Sequence, residues 1–274
     1  MPESNICKFD DRILLPAILT SCQPCREDQV ILLHSMPSAH AFGLSPEIAK
    51  AYFLAQITMA RMIRRCTTSV IVSQAKEVYA PIIALELTYQ LQTWHHHLPP
   101  SIRFECQDTT SVLPDDFLET NSSFRASSVI AVTQVLQMQY YLCLTNIYWP
   151  AVYSVINTGT LTPAPTDNCA QFFDSYVGFV MTAASVINNR PQNPWISIAN
   201  CANNRALLIS LFITTMACFK GASSLCLRST TPPNVTRCFD IASKLFETGD
   251  AVAVSPAIGK IGFILRQRFV GRRR

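Results

Sequence analysis

Only 8 of the 274 residues are glycine, so tight hairpin turns and the glycine loops that cradle phosphates have little to build from. Proline reaches 17 residues and has to draw most segment boundaries, a balance that favours an all-α chain. Charge is sparse too, at 15% of residues against 49% hydrophobic. The net charge of +4 is too small for a protein that holds nucleic acid mainly by electrostatics. Apolar surface in such excess belongs in a core, a membrane or a partner, because soluble monomers rarely expose patches beyond a few hundred Å².

No secretory leader is expected from the start, MPESNICKFDDR, where Glu3, Lys8, Asp10 and Asp11 stand in place of an apolar run. The eleven cysteines are an odd number and lie mostly inside apolar stretches, as Cys143 and Cys218 do. That usage suits reduced core thiols in a reducing compartment. The run ALLISLFITTMACF, 206 to 219, is confined between Arg205 and Lys220 and falls short of the about 20 residues a spanning helix needs. Ser127 to Ile156 is longer and mostly apolar, but Thr133, Gln134, Gln137, Gln139, Thr145 and Asn146 interrupt it and Pro150 breaks it. It reads as a buried core helix, with no membrane expected.

What is there is helix punctuation. Ser45-Pro46, Asn193-Pro194, Thr231-Pro232 and Ser255-Pro256 each pair a capping side chain with a proline suited to the first helical position. After Ser45, residues Ile48, Tyr52, Ala55, Met59, Met62 and Cys66 form an apolar stripe with Arg61, Arg64 and Arg65 mostly off it, which predicts a helix over 46–76. Pro81 opens a second, with Ile83, Leu87, Leu91, Trp94 and Leu98 on its buried side until Pro99-Pro100 ends it at 98.

Residues 100–125 lose periodicity and gather Asp108, Asp115, Asp116 and Glu119, predicting a mobile polar loop. Further helices are expected over about 127–149, running into or kinked at Pro150, then 167–188, 194–224, 232–248 and 256–268. The patch Val70-Ile71-Val72 is β-branched, yet no Asn-Gly or Asp-Gly turn signals a hairpin. The organisation expected is an irregular segment over 1–44, a helical body over 45–268 and a basic tail over 269–274.

Four constellations invite chemistry. His95-His96-His97 cannot converge on one metal ion, because successive helical side chains point about 100° apart and no ligand stands one turn away. They read as the last turn of a helix, where imidazoles reach free carbonyls. Cys22 and Cys25 have the spacing of half a zinc or redox site, with no second such pair. Arg266, Arg268, Arg272, Arg273 and Arg274 make a basic end that reads as a solvated tail or a nuclear-import patch. Asn121 and Asn234 head glycosylation sequons that mean little without a secretion signal. Nucleotide-binding glycine loops and a nucleophile elbow are missing, so no residue is assigned as catalytic, cofactor-binding or metal-binding.

The stretch Leu91, Trp94, Leu98 and Pro99, L-x-x-W-x-x-x-L-P, resembles a hallmark of the middle homology region of fungal zinc-cluster transcription factors. Downstream, QMQYYLCLTNIYWPAV (137 to 152) resembles the next one, with Trp149 where the family commonly has arginine before the proline. Segments 169 to 187, 194 to 224 and 238 to 250 are similar to its later helices, and Leu15-Pro16 with Glu27-Asp28 loosely echoes its N-terminal edge. The family's DNA reader, a six-cysteine cluster opening C-x2-C-x6-C, does not follow: the seventh residue after Cys25 is Leu32, and the next cysteine is Cys66.

The resemblance implies an all-α bundle of about seven or eight helices around the two amphipathic ones, in a nuclear regulatory domain of a transcription factor. It implies a protein partner or a homodimer, with a small-molecule effector as a further option, no direct nucleic-acid binding and no enzymatic role. The chain would then be a regulatory fragment, a truncated form or a factor acting through partners, and Arg274 falls early for such a domain. The alternative from another class is a helical cytosolic enzyme or small-molecule-binding protein with a pocket lined by cysteine and histidine.

Overall fold

The computed structural model describes residues 44–68, 71–73, 76–78, 80–106, 128–159, 163–188 and 194–246. These contain six α-helices: α1 Pro46–Thr68, α2 Pro81–His96, α3 Ser128–Thr158, α4 Pro163–Asn188, α5 Pro194–Ala222 and α6 Asn234–Phe246. A 3-10 turn, Leu225–Leu227, lies between α5 and α6, and a small antiparallel pair, β1 Ile71–Ser73 and β2 Lys76–Val78, between α1 and α2. The described residues are thus mostly helical, as the proline and glycine balance predicts. The helix expected over 256–268 lies outside them, so six helices are seen among the described residues and not seven or eight.

Local sequence explains most boundaries. The Ser45 carbonyl accepts the Ala49 N–H at 3.0 Å, and its hydroxyl lies 3.4 Å from the Ile48 nitrogen. α1 stops at Thr68 and not at 76, because Thr67, Thr68, Ile71 and Val72 are β-branched and crowd a helix, and Ile71 and Val72 suit the extended backbone they adopt. Ile71 pairs with Val78, Val72 with Glu77 and Ser73 with Lys76. The unsignalled hairpin exists after all, three residues a side.

Prolines behave less uniformly. α3 runs through Pro150 to Thr158 instead of ending near 149. Proline there removes one backbone hydrogen bond, but Trp149, Ala151, Val152 and Val155 are buried around it, and tertiary packing holds the helix across the gap. α4 starts at Pro163, not at 167, since Pro163 and Pro165 occupy first-turn positions that have no donor to lose. α6 starts at Asn234, two residues late, with the Pro232 carbonyl accepting the Val235 N–H at 3.2 Å.

The packing centre is α3 against α4, not the two amphipathic helices. Trp149 meets Phe172 at a centroid distance of 5.6 Å, and Tyr141 lies against Gly178, so the pair is antiparallel. α3 is apolar on nearly every side, as α4 is from Tyr176 onward, and both are largely enclosed, whereas one-sided helices lie at the surface by nature. α1 and α2 cover α3, while α5 and α6 pack on α4. Among the described residues one segment, Pro165–Ile187, is long and apolar enough to cross a membrane, but 72% of its apolar window is buried among the other helices.

Candidate interaction groove

α1 and α2 run antiparallel because Thr58 faces Trp94 while Arg65 faces Gln90. The Trp94 indole N–H donates to Thr58 Oγ1 at 2.9 Å, and the Arg65 guanidinium donates to Gln90 Oε1 at 2.7 Å. The Gln90 amide in turn donates to Glu86 at 2.6 Å, which fixes which end of Gln90 faces the arginine. Their inner stripes meet the expectation: Ala55, Met59, Met62 and Cys66 on α1 and Leu87, Leu91 and Leu98 beside α2 are buried. Trp94 is only partly buried, resting against the core.

Above this seam lies an open groove of about 670 Å³. Leu54, Thr58, Arg61 and Arg65 form much of one wall, and Tyr89, Trp94, His97 and Pro99 much of the other. No aspartate or glutamate is among its lining residues. An apolar ridge continues from it along α2, with Tyr89 65%, Leu85 67% and Ile82 73% exposed, and Leu54 on α1 is 53% exposed.

The three histidines part company. His97 Nδ1 lies 2.7 Å from the Thr93 carbonyl, the last-turn contact expected. His95 Nε2 lies 2.8 Å from the Phe104 carbonyl; a carbonyl only accepts, so Nε2 carries the hydrogen in that contact. The His95 ring sits 4.3 Å from Phe104 and 5.4 Å from Tyr140, making it a strut between α2, α3 and the chain after α2. His96 is exposed, and no metal-binding cluster of His, Cys, Asp or Glu occurs among the described residues.

That chain after α2 departs from the expected polar loop at its start. Ile102 and Phe104 are buried, and the Glu105 carbonyl accepts from the Gln137 amide at 2.9 Å. Sequence pattern alone overlooks Arg103, whose guanidinium donates to the His96 carbonyl at 2.9 Å and to the Leu98 carbonyl at 2.7 Å. A cation there completes the helix end. Its signal is a basic residue just beyond Pro99-Pro100. The remainder of the expected loop, Cys22 and Cys25, and the C-terminal arginines lie outside the described residues.

Four of the described cysteines have thiols held toward the protonated form. Burial pushes the Cys169 thiol up to about 11 and the Cys238 thiol up to about 12, the latter against the nearby Arg237, and holds Cys218 well above the usual range. Cys106 is exposed; partial burial of its thiol raises it, against a hydrogen bond with Tyr140. Thiols held protonated are poor nucleophiles. Burial likewise holds Tyr176 well above the tyrosine range, and its hydroxyl donates to Thr215 at 3.2 Å.

The groove and its helices can now be set beside known proteins. An Aspergillus rugulosus protein, "Putative transcription factor ecdB", is 36% identical to this chain over 182 residues. The chain is related to a fungal protein that carries this name. The match takes in 66% of the chain but only 30% of the relative's length. No protein-family model matches the chain, and no solved structure does.

Proposed function

We propose that this chain is a regulatory domain of a fungal transcription factor, working in the nucleus through contacts with a protein partner, a second copy or a small effector. It is not an enzyme, does not read DNA through a zinc cluster and needs no membrane. The observation that carries this is the 36% identity over 182 residues to the Aspergillus rugulosus protein, named as a transcription factor. The groove supports it, because a cleft with arginines, exposed apolar side chains and no carboxylate suits recognition better than proton transfer.

The test is a fungal strain in which the chain carries a fluorescent tag and its expression is switched on and off. Nuclear accumulation, with a defined gene set changing transcript level within the induction time, is the expected result. A chain excluded from the nucleus, with an unchanged transcript profile, sinks the reading. Purified chain should also leave duplex DNA unshifted at physiological salt, since sequence reading by this chain is not part of the mechanism.

A further inference from the structure

The exposed apolar side chains of α2 are not scattered. Ile82, Leu85 and Tyr89 follow one another at spacings of three and four, so they form one line along the helix, and that line enters the groove at Tyr89. At 1.5 Å per residue the ridge from 82 to 89 adds about 10 Å beyond the cleft. A small molecule filling the cleft would leave that ridge in water. An extended or helical peptide covers both.

Charge identifies the peptide. Arg61 and Arg65 stand on the α1 wall, no carboxylate lines the cleft itself, and Gln90, bonded on its other side to the exposed Glu86 beside the ridge, holds Arg65 in place at 2.7 Å. A second copy of this chain docking cleft to cleft would offer Arg61 and Arg65 no carboxylate from the lining residues of its own cleft. Nucleic acid would satisfy the arginines but not the apolar ridge. We propose that the α1/α2 groove and its ridge bind an acidic amphipathic segment of a partner protein, apolar side chains on the ridge and carboxylates toward Arg61 and Arg65. The regulatory reading gives this surface its biological sense; the binding itself is measured without transcription, so either can fail alone.

The experiment uses the full chain and a labelled synthetic peptide bearing leucine and phenylalanine at spacings of three and four, with aspartate and glutamate between. A second peptide has lysine at the acidic positions. Fluorescence anisotropy should show the acidic peptide bound, more weakly as salt rises, and the basic one not bound. The double substitution Arg61→Glu and Arg65→Glu should weaken the acidic peptide roughly tenfold and admit the basic one. Leu85→Ser with Tyr89→Ser should weaken binding in the chain with its native arginines, and both double variants should keep the native helical circular dichroism. Equal binding of the two peptides overturns the proposal, as does a single-stranded oligonucleotide that competes fully. So does self-association that the ridge substitutions abolish.

Discussion

The two sides of the α3–α4 pair are built differently. Toward α5 and α6 rings and thiols dominate: Tyr176 meets Phe239 at 5.7 Å beside fully buried Cys218 and Cys238, one polar pair joins Tyr176 to Thr215, and α5 closes on α6 through Phe219–Phe239 at 6.0 Å and Phe212–Phe246 at 5.9 Å. Toward α1 and α2 the contacts include polar pairs. Gln56 and Gln139 exchange two hydrogen bonds at 3.0 Å between α1 and α3, and Thr88 donates to the Tyr148 hydroxyl at 3.0 Å between α2 and α3. The dry side supplies stability through area removed from water. The wetter side fixes register through directional bonds and leaves a groove open between its helices.

The sharpest way to break that contrast is a truncation in the apolar core that both sides share. Phe172 is 1% exposed and meets Trp149 and Phe173. Phe172→Ala should cost about 3–5 kcal/mol in denaturant unfolding, the range for an aromatic removed from a packed core. A loss below about 1 kcal/mol would show that this core relaxes around a cavity and is not close-packed.

Next comes the crossing of α3 and α4. A Cβ at Gly178 would lie 2.6 Å from the Tyr141 ring, so Gly178→Ala forces the helices apart or turns the tyrosine. Overpacking of this kind should cost roughly 1–3 kcal/mol, and Tyr141→Leu in the same chain should recover part of it. A graded effect follows with pH. Cys169 and Cys238 titrate at about 11 and about 12 when folded, above the ordinary thiol value of 9.0. The stability their protonated forms contribute is complete below pH 9 and is lost as pH rises through the folded values. The thermal midpoint should therefore fall above pH 9, and Cys169→Ala with Cys238→Ala should flatten that fall.

Trp94 tests the other side. On the sequence stripe it belongs with the buried residues, yet in the fold it is partly exposed at the groove and donates to Thr58. Trp94→Phe keeps the ring in contact and removes the donor, at an expected cost of about 1 kcal/mol in unfolding. A loss in the range of Phe172→Ala would place Trp94 with the dry core.

How much of this is legible depends on whether spacing names a face. For α1 and α2 it does: periodicity alone places Met59, Met62, Leu87 and Leu91 inward, and Ile82, Leu85 and Tyr89 fall off the stripe as exposed apolar residues. For α3 and the second half of α4 it does not, because a helix apolar on all sides has no preferred face to read. Their central position emerges only with the fold. The hairpin is hidden because three-residue strands leave too short a pattern, and Pro150 misleads because neighbouring burial outweighs one lost backbone bond. The groove needs two helices brought side by side, a juxtaposition no single-segment pattern contains. The role of His95 is hidden for the same reason: its partner, the Phe104 carbonyl, is nine residues on and arrives there only because Ile102 and Phe104 turn inward.

The smallest expected effect separates stability from recognition. Arg61 is exposed on the groove wall, so Arg61→Ala removes no buried contact and should shift unfolding by no more than about 0.5 kcal/mol. The same substitution removes one of the two arginines that face an incoming carboxylate, and should weaken acidic-peptide binding measurably at low salt and less at high salt. If it destabilised the fold instead, Arg61 would be part of what holds α1 in place, and the wetter side would contribute to stability much as the dry one does. Unchanged stability with weakened binding assigns the arginine to recognition, and with it the side of the molecule that directional polar contacts leave open.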